Sequence, residues 1–118
     1  MNNNVLEKYK IKFEIIIRDG RKKLDITSRV IPYFSGYFIK VYPEFLENEI
    51  IPEINNAIAG HSFDDDAGGV YDYLKIGHLT SYFYTDEDHQ FPIPTLDLKE
   101  IILSYIEWID NNNLEKFI

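Results

Sequence analysis

Apolar and polar side chains alternate along residues 9–18, which read YKIKFEIIIR. The apolar positions that share one face are Ile11, Phe13, Ile15 and Ile17. Successive side chains of a β-strand point to opposite faces, so this period of two predicts a half-buried strand. An Asp-Gly pair at 19–20 is typical of a tight turn, and the alternation resumes at Leu24, Ile26, Ser28 and Val30. The pattern therefore predicts a β-hairpin.

The spacing of apolar residues changes to three and four along residues 43–59, which predicts a helix. Pro43 suits its first turn, and Gly60 suits the position just after its end. Pro52 lies inside the pattern, and because proline lacks an N–H and clashes with the preceding turn, we expect a kink or two abutting helices. Residues 31–39 are aromatic but interrupted by proline and glycine, and they predict a buried connection or a short strand rather than a helix.

A single apolar stripe predicts a second helix over residues 97–110. The stripe consists of Leu98, Ile101, Ile102, Tyr105, Trp108 and Ile109. Either Thr95 or Asp97 could cap the first turn, and the asparagine triplet at 111–113 should end the helix. The indole of Trp108 is expected in the core because it lies on the stripe.

Between the two helices, residues 61–69 predict a loop, and residues 70–85 predict two strands that break at 77–78. A short further strand is predicted at 91–93. Together these elements predict an α+β fold in which an antiparallel sheet of about four to five strands packs against two helical segments.

The chain has 118 residues, the length of one ordinary domain, so we expect a single domain over residues 1–118 with loose tails at 1–8 and 112–118. It contains no cysteine, which excludes a disulfide framework, a thiolate metal site and a cysteine nucleophile. The first residues lack the apolar segment of a secretory signal, and no run approaches the ~18 apolar residues of a membrane span. We therefore expect a cytoplasmic protein that does not bind membranes.

The two parts of the chain carry opposite charge. Residues 1–40 hold nine basic and four acidic side chains, a balance of +5, whereas residues 41–118 hold three basic and sixteen acidic ones, a balance of −13. An acidic surface repels phosphate backbones and attracts basic proteins, so we expect no binding to nucleic acid. The same charge would also serve to keep a protein soluble, and the sequence leaves both interpretations open.

The sequence contains few residues that could act in catalysis or bind a metal. Three consecutive aspartates at 64–66 are the kind of ligand that hard cations bind, but calcium loops alternate their ligands whereas adjacent side chains diverge. These aspartates could hold a metal, contact a partner or be solvated. The three histidines, His61, His78 and His89, lack a spacing that brings two ring nitrogens onto one ion. We expect no metal, no cofactor and no catalytic residue.

Tyrosines and carboxylates are interleaved in one stretch, and this is the positive signal for binding. Interfaces favour tyrosine because it gives a large, rigid contact area with a polar tip, although tyrosine is also a good strand former. The candidate partner-binding residues are Asp64, Asp65, Asp66, Tyr71, Asp72, Tyr73, Tyr82, Tyr84, Asp86, Glu87 and Asp88. Among the tyrosines, 71 and 73 should share one strand face, with Asp72 opposite, and 82 and 84 should share another.

Residues 79–110 resemble immunity proteins of bacterial contact-dependent growth inhibition and other polymorphic toxin systems. The resemblance lies in a tyrosine-bearing strand, TSYFYTD, an acidic turn, and the segment FPIPTLDLKEIILSYIEWID, in which an Ile-Pro step leads to a polar cap and a helix. It implies a cytoplasmic antidote that binds a cognate toxin domain, commonly a basic nuclease, and it carries over no catalytic residue. The oligomeric state is not implied.

Two other functions stay open on the sequence. One is a small metal-dependent hydrolase or nuclease that uses the aspartates at 64–66, and the other is a cytosolic adaptor domain. An acidic-x-lysine motif at 97–99 occurs in some metal-dependent nucleases on a strand edge, but here it opens a predicted helix.

Overall fold

The structure, a computed structural model, describes residues 1–116. Helix α1 (Asn3–Lys8) leads into a hairpin of strands β1 (Ile11–Arg18) and β2 (Arg21–Ser28). The two strands pair antiparallel and in continuous register from Ile11 opposite Ser28 to Arg18 opposite Arg21. This confirms the predicted hairpin, which forms a two-stranded sheet of its own.

A second antiparallel sheet contains four strands whose order in the sheet is their order in the chain. The strands are β3 (Asp66–Gly69), β4 (Tyr73–Lys75), β5 (Thr80–Asp86) and β6 (His89–Pro94). The predicted break at 77–78 and the predicted short strand at 91–93 are both confirmed. The α+β class is confirmed as well, with the predicted strands divided between two sheets.

Helices pack against one face of the four-stranded sheet and enclose the core. They are α2 (Phe34–Phe38), α3 (Pro43–Phe45), a π-helical turn (Leu46–Ile50), α4 (Ile51–Ala59) and α5 (Thr95–Asn111). Phe83 of β5 is fully buried, and its ring lies 5.4 Å from that of Phe34 and 5.9 Å from that of Tyr37. The predicted stripe of α5 is buried, apart from the half-buried Trp108, which lies 5.5 Å from Phe13 of the hairpin.

The kink expected at Pro52 takes the form of a π turn. The N–H of Ile51 donates to the carbonyl of Leu46, five residues earlier, directly before the proline. Such a bulge relieves the clash between a proline ring and the carbonyl four residues back. The helical stretch ends as predicted at Gly60, which has a φ of 78°, and His61 donates its N–H to the carbonyl of Asn56. This six-to-one bond is the Schellman motif that glycine favours.

Two local predictions are wrong: residues 31–39, predicted as a buried connection or a short strand rather than a helix, contain a helix, and the predicted loop 61–69 contains a strand. Residues 34–38 form helix α2, because Phe34, Tyr37 and Phe38 fall at helical spacing and are all buried against the sheet. Asp66–Gly69 forms the edge strand β3 inside the predicted loop 61–69. The hydroxyl of the buried Tyr37 donates to the carbonyl of Ala67 at 2.7 Å, so a contact from a distant helix holds this edge.

The terminal segments are also more structured than the expected loose tails. Residues 3–8 form α1, which contacts α5, and the N–H of Asn2 donates to the hydroxyl of Ser104. Near the other end, the Lys116 ammonium pairs with Glu47 at 3.0 Å and with Asp110 at 2.8 Å. Residues 117–118 of the predicted tail lie outside the described residues.

The start of α5 differs from the expected capping. The helix begins at Thr95, and neither Thr95 nor Asp97 accepts a bond from a first-turn N–H. The Thr95 hydroxyl instead donates to the carbonyl of Gly77 at 2.7 Å and lies 2.8 Å from the hydroxyl of Ser81. This buried hydroxyl network joins the helix to the β4–β5 connection. The carboxylate of Asp97 pairs with Lys8 at 3.0 Å, which ties α1 to α5.

Candidate functional site

The face of the four-stranded sheet that points away from the helices carries a row of tyrosines. Because side chains alternate along a strand, the buried Leu74 and Phe83 point inward, and Tyr73, Tyr82 and Tyr84 point outward. All three tyrosines are half-buried. Tyr73 and Tyr84 lie opposite each other in register, and their rings stack at 5.4 Å. We refer to these three side chains as the tyrosine face.

Asp64, Asp65 and Asp66 border the tyrosine face on the side of β3. The Asp64 carboxylate accepts a bond from the N–H of Asp66 at 3.0 Å, and the Asp66 carboxylate accepts one from the N–H of Gly68 at 2.9 Å. Asp65 lies 3.9 Å from the ammonium of Lys75, a long ion pair between exposed groups. The carboxylates of Asp64 and Asp66 therefore stabilise the backbone of the segment in which they lie, and the carboxylate of Asp65 is exposed to solvent.

The second acidic segment, Asp86 to Asp88, forms the turn between β5 and β6. The Asp86 carboxylate accepts a bond from the N–H of Asp88 at 2.9 Å and lies 2.7 Å from the ring nitrogen Nδ1 of His89. The hydrogen bond with His89 is the main cause that lowers the pKa of Asp86. Glu87 and Asp88 are exposed. We call this turn and residues 64–66 the acidic borders.

The register of the sheet sets the distance between the acidic borders. Asp66 lies opposite Lys75, which lies opposite Tyr82, and Asp86 follows Tyr82 by four positions along β5. Strands about 4.8 Å apart with a rise of about 3.4 Å per residue place Asp66 and Asp86 about 17 Å apart. An ordinary protein interface covers about 800 Å² on each partner, so one partner can span the tyrosine face and reach both borders.

The borders also act electrostatically on the tyrosines. Burial is the largest cause that raises the pKa of Tyr84, and the carboxylates of Asp66 and Asp65 and the hydroxyl of Tyr73 add to it. A phenol donates hydrogen bonds at neutral pH even at its ordinary pKa of about 10, and the raised pKa of Tyr84 moves its ionisation to still higher pH. The same face also carries the exposed Lys75, which lies between Tyr82 and Asp66. The face therefore presents phenols and one ammonium between two acidic borders, and the phenols suit aromatic groups and the borders basic groups of another protein.

The structure does not bring two predicted site residues to this face. Tyr71 and Asp72 lie in the turn between β3 and β4, and the Asp72 carboxylate packs tightly against Gly36 of α2, on the helical side. The Tyr71 ring is 65% exposed and lies 5.4 Å from the ammonium of Lys40, which follows α2. The expectation that Tyr71 shares a strand face with Tyr73 is wrong, because β4 begins at Tyr73 and Tyr71 lies in the turn before it, whereas Asp72 does lie on the side opposite Tyr73, as expected.

His78 and His89 bond separate partners, and so do the aspartates that the sequence offered as metal ligands. Within residues 1–116, no group of three or more His, Cys, Asp or Glu side chains has the geometry to hold a metal ion. The Nδ1 atom of His78 bonds the carbonyl of Ala57, and His89 bonds Asp86, so the histidines are used separately. Asp97 pairs with Lys8 and accepts a bond from the Tyr9 hydroxyl.

Sequence reasoning missed a second exposed feature, at the end of the hairpin. Ile15 and Ile17 were expected on the buried strand face, yet they are 40% and 75% exposed. The hairpin runs past the edge of the core, so its outer half is not covered. Alternation predicts which residues share a face but not how far the core extends along that face, and no signal in the sequence gives this limit.

No family model, no curated protein and no solved structure matches this chain. In the part of the chain that the structure describes, no helix combines the length and the apolar composition needed to cross a membrane.

Proposed function

We propose that this protein acts by binding rather than by catalysis, and that it neutralises a basic toxin domain in the cytoplasm by occupying it with the tyrosine face. The observation that carries the proposal is the outer face of the sheet, which points away from the helices, with the half-buried Tyr73, Tyr82 and Tyr84 in its centre and carboxylates at two borders. The resemblance of residues 79–110 to immunity proteins supports the same function.

The site has the composition of a typical protein interface, in which central and peripheral side chains contribute in different ways. Central aromatic side chains supply most of the affinity, because they bury a large area at a small cost in conformational entropy. Charges at the rim mainly speed the association by attracting the partner. The tyrosines lie at the centre of this face, and the exposed Asp65, Glu87 and Asp88 lie at its margins. This is the arrangement of an aromatic centre and a charged rim.

At the β6 edge of the sheet, the sequence favours binding by the face rather than by addition of a strand. Edge strand β6 contains Pro92 and Pro94, which lie opposite Tyr82 and Thr80 of β5. Proline has no N–H, so the outer edge of β6 lacks two donors that a further strand would need. A partner that pairs its backbone with this edge would leave acceptors unbonded, whereas one that packs on the face would not.

The test is capture followed by reconstitution. The tagged chain is used to isolate partners from its native organism, and each candidate is purified with its enzymatic activity measured alone and with added protein. We expect a basic protein domain that is inhibited in proportion to the protein added, with complete inhibition at one equivalent. If every stable partner keeps its full activity in the complex, the inhibitory function is wrong, although a binding role would survive as an adaptor.

A further inference from the structure

The outer half of the hairpin presents an apolar face that nothing in the described structure covers. We call residues 15–24 the hairpin tip. Ile15 lies opposite Leu24 and Ile17 opposite Lys22, so these side chains share one face. At the base, the same face is buried, since Phe13 lies 5.5 Å from Tyr105 and Ile26 is 3% exposed. Toward the tip the exposure rises to 75% at Ile17.

The hairpin tip is also the most basic part of the chain. Its charged side chains are Arg18, Asp19, Arg21, Lys22 and Lys23, a balance of +3. Within residues 1–116, no carboxylate lies within ion-pair distance of the four basic side chains. An exposed apolar strip beside uncompensated positive charge calls for a partner that is aromatic or apolar in its centre and acidic at its rim.

The tyrosine face of the same molecule has this composition. We propose that the hairpin tip of one copy of this protein docks on the tyrosine face of a second copy. Ile15 and Ile17 pack on the tyrosines, and the basic side chains of the tip reach the acidic borders. Because the tip then occupies the surface proposed above for a basic toxin domain, self-association and toxin binding exclude each other. The inference therefore rests on the proposed function of that face.

Two other ways to cover the tip fit the observations less well. Two tips packed against each other would bury their isoleucines but bring two clusters of positive charge together, which costs free energy. A nucleic acid would neutralise the charge but leave Ile15 and Ile17 exposed. The contact between tip and tyrosine face accounts for both the apolar strip and the charge.

Charge reversal on each surface tests the proposal. The tip variant is Arg21→Glu with Lys22→Glu and Lys23→Glu, and the border variant is Asp65→Lys with Glu87→Lys and Asp88→Lys. All six side chains are exposed, and within the described residues the one ion pair that they form is the 3.9 Å contact of Asp65 with the exposed Lys75. An exposed pair contributes about 0–1 kcal/mol, so the fold should persist. Sedimentation velocity across a concentration series measures self-association, and circular dichroism checks that each variant is folded.

Wild-type protein should self-associate, and its association constant should fall about tenfold or more between about 50 mM and 500 mM salt, because salt screens charges at rims. Each reversed variant should be monomeric alone. An equimolar mixture of the two should associate again, since the intact tip of the border variant can dock on the intact face of the tip variant. The mixture is the most specific of these experiments, because neither variant can associate by itself and only the proposed contact can join the two.

The apolar half of the contact is tested by Ile17→Thr, which removes an exposed isoleucine and leaves the charge unchanged. We expect its self-association to be about tenfold weaker than that of wild-type protein, with an unchanged melting temperature. Wild-type protein that stays monomeric at low salt overturns the proposal, as does self-association that the border variant retains. Neither of these two results bears on toxin neutralisation, which the inhibition assay tests separately.

Discussion

The hydroxyl of Tyr37 gives a sharp prediction because it links the core to the edge strand that carries Asp66. It donates to the carbonyl of Ala67 at 2.7 Å, and both residues are fully buried. Tyr37→Phe keeps the ring and its packing but leaves a buried carbonyl without its donor. Leaving a buried acceptor unsatisfied costs about 1–3 kcal/mol, so we expect the free energy of unfolding to fall by about 2 kcal/mol.

Tyr105→Phe is the matched control. Tyr105 is 2% exposed and packs in the same core, but within residues 1–116 its hydroxyl makes no hydrogen bond. We expect Tyr105→Phe to change the free energy of unfolding by less than about 0.5 kcal/mol. Urea denaturation measures both variants, and hydrogen exchange should show that Tyr37→Phe loosens the amides of β3 first.

Equal destabilisation by Tyr37→Phe and Tyr105→Phe would refute this reasoning. It would mean that water or a small backbone shift satisfies the Ala67 carbonyl, and that the packing of the two rings, rather than one hydrogen bond, determines their stability. Uniform hydrogen exchange across the sheet in Tyr37→Phe would lead to the same conclusion, since the bond would then not hold the edge strand in particular.

Three further predictions concern the fold around the site. Gly36→Ala should destabilise by about 1–3 kcal/mol, because its methyl group overlaps the Asp72 carboxylate, and Gly36→Ala combined with Asp72→Ala should restore stability in thermal unfolding. Burial raises the pKa of Tyr37 and Tyr105 above the ordinary 10.0. The free energy of unfolding should therefore be constant below about pH 10 and fall above it, because the tyrosines of the unfolded chain then release protons that the folded chain keeps. Denaturation at a series of alkaline pH values should show this fall, and Tyr37→Phe should make the fall smaller. Thr95→Val should cost about 2 kcal/mol by breaking the buried hydroxyl network, while Thr95→Ser should cost less in the same denaturation assay.

Local patterns predicted the parts of the fold that rest on local chemistry. The alternation of residues 11–17 and the helical stripe from Leu98 to Ile109 are each complete within one element, so the sequence alone contains the signal. Gly60 identified the end of α4 because a left-handed residue is needed there. These features depend on local backbone geometry and on which face of an element is buried. The spacing of apolar residues along the sequence indicates that face directly.

The parts that sequence reasoning missed depend on contacts between distant residues. Helix α2 is stabilised by the packing of its aromatic residues on Phe83, and that contact overrides the breaking effect of Gly36. Strand β3 contains an alanine and two glycines, and it is held by β4 and by Tyr37. Neither contact can be seen in a local window of sequence.

The candidate site was predicted in part for the same reason. Alternation correctly placed Tyr82 and Tyr84 on one face of β5. The stacking of Tyr73 on Tyr84 depends on the register between strands, which the sequence does not give. The position of Tyr71 depends on where β4 begins, because a residue that precedes the first strand residue lies in the turn and need not follow the alternation.

The central claim, that the acidic borders attract a basic partner to the tyrosine face, is tested most directly by association kinetics with the partner obtained by capture. The face variant is Asp65→Asn with Glu87→Gln and Asp88→Asn, which spares Asp86 because its carboxylate shapes the turn. The control variant removes the same charge from exposed positions on the helices, by Glu7→Gln, Glu44→Gln and Glu49→Gln.

We predict that the face variant associates about tenfold more slowly than wild-type protein at low salt and at the same rate at high salt, because only the attraction between charges is lost. The control variant should associate nearly as fast as wild-type protein throughout. Equal association rates of the face and control variants across the salt range, with both folded, would contradict the claim and place the contact elsewhere on the molecule.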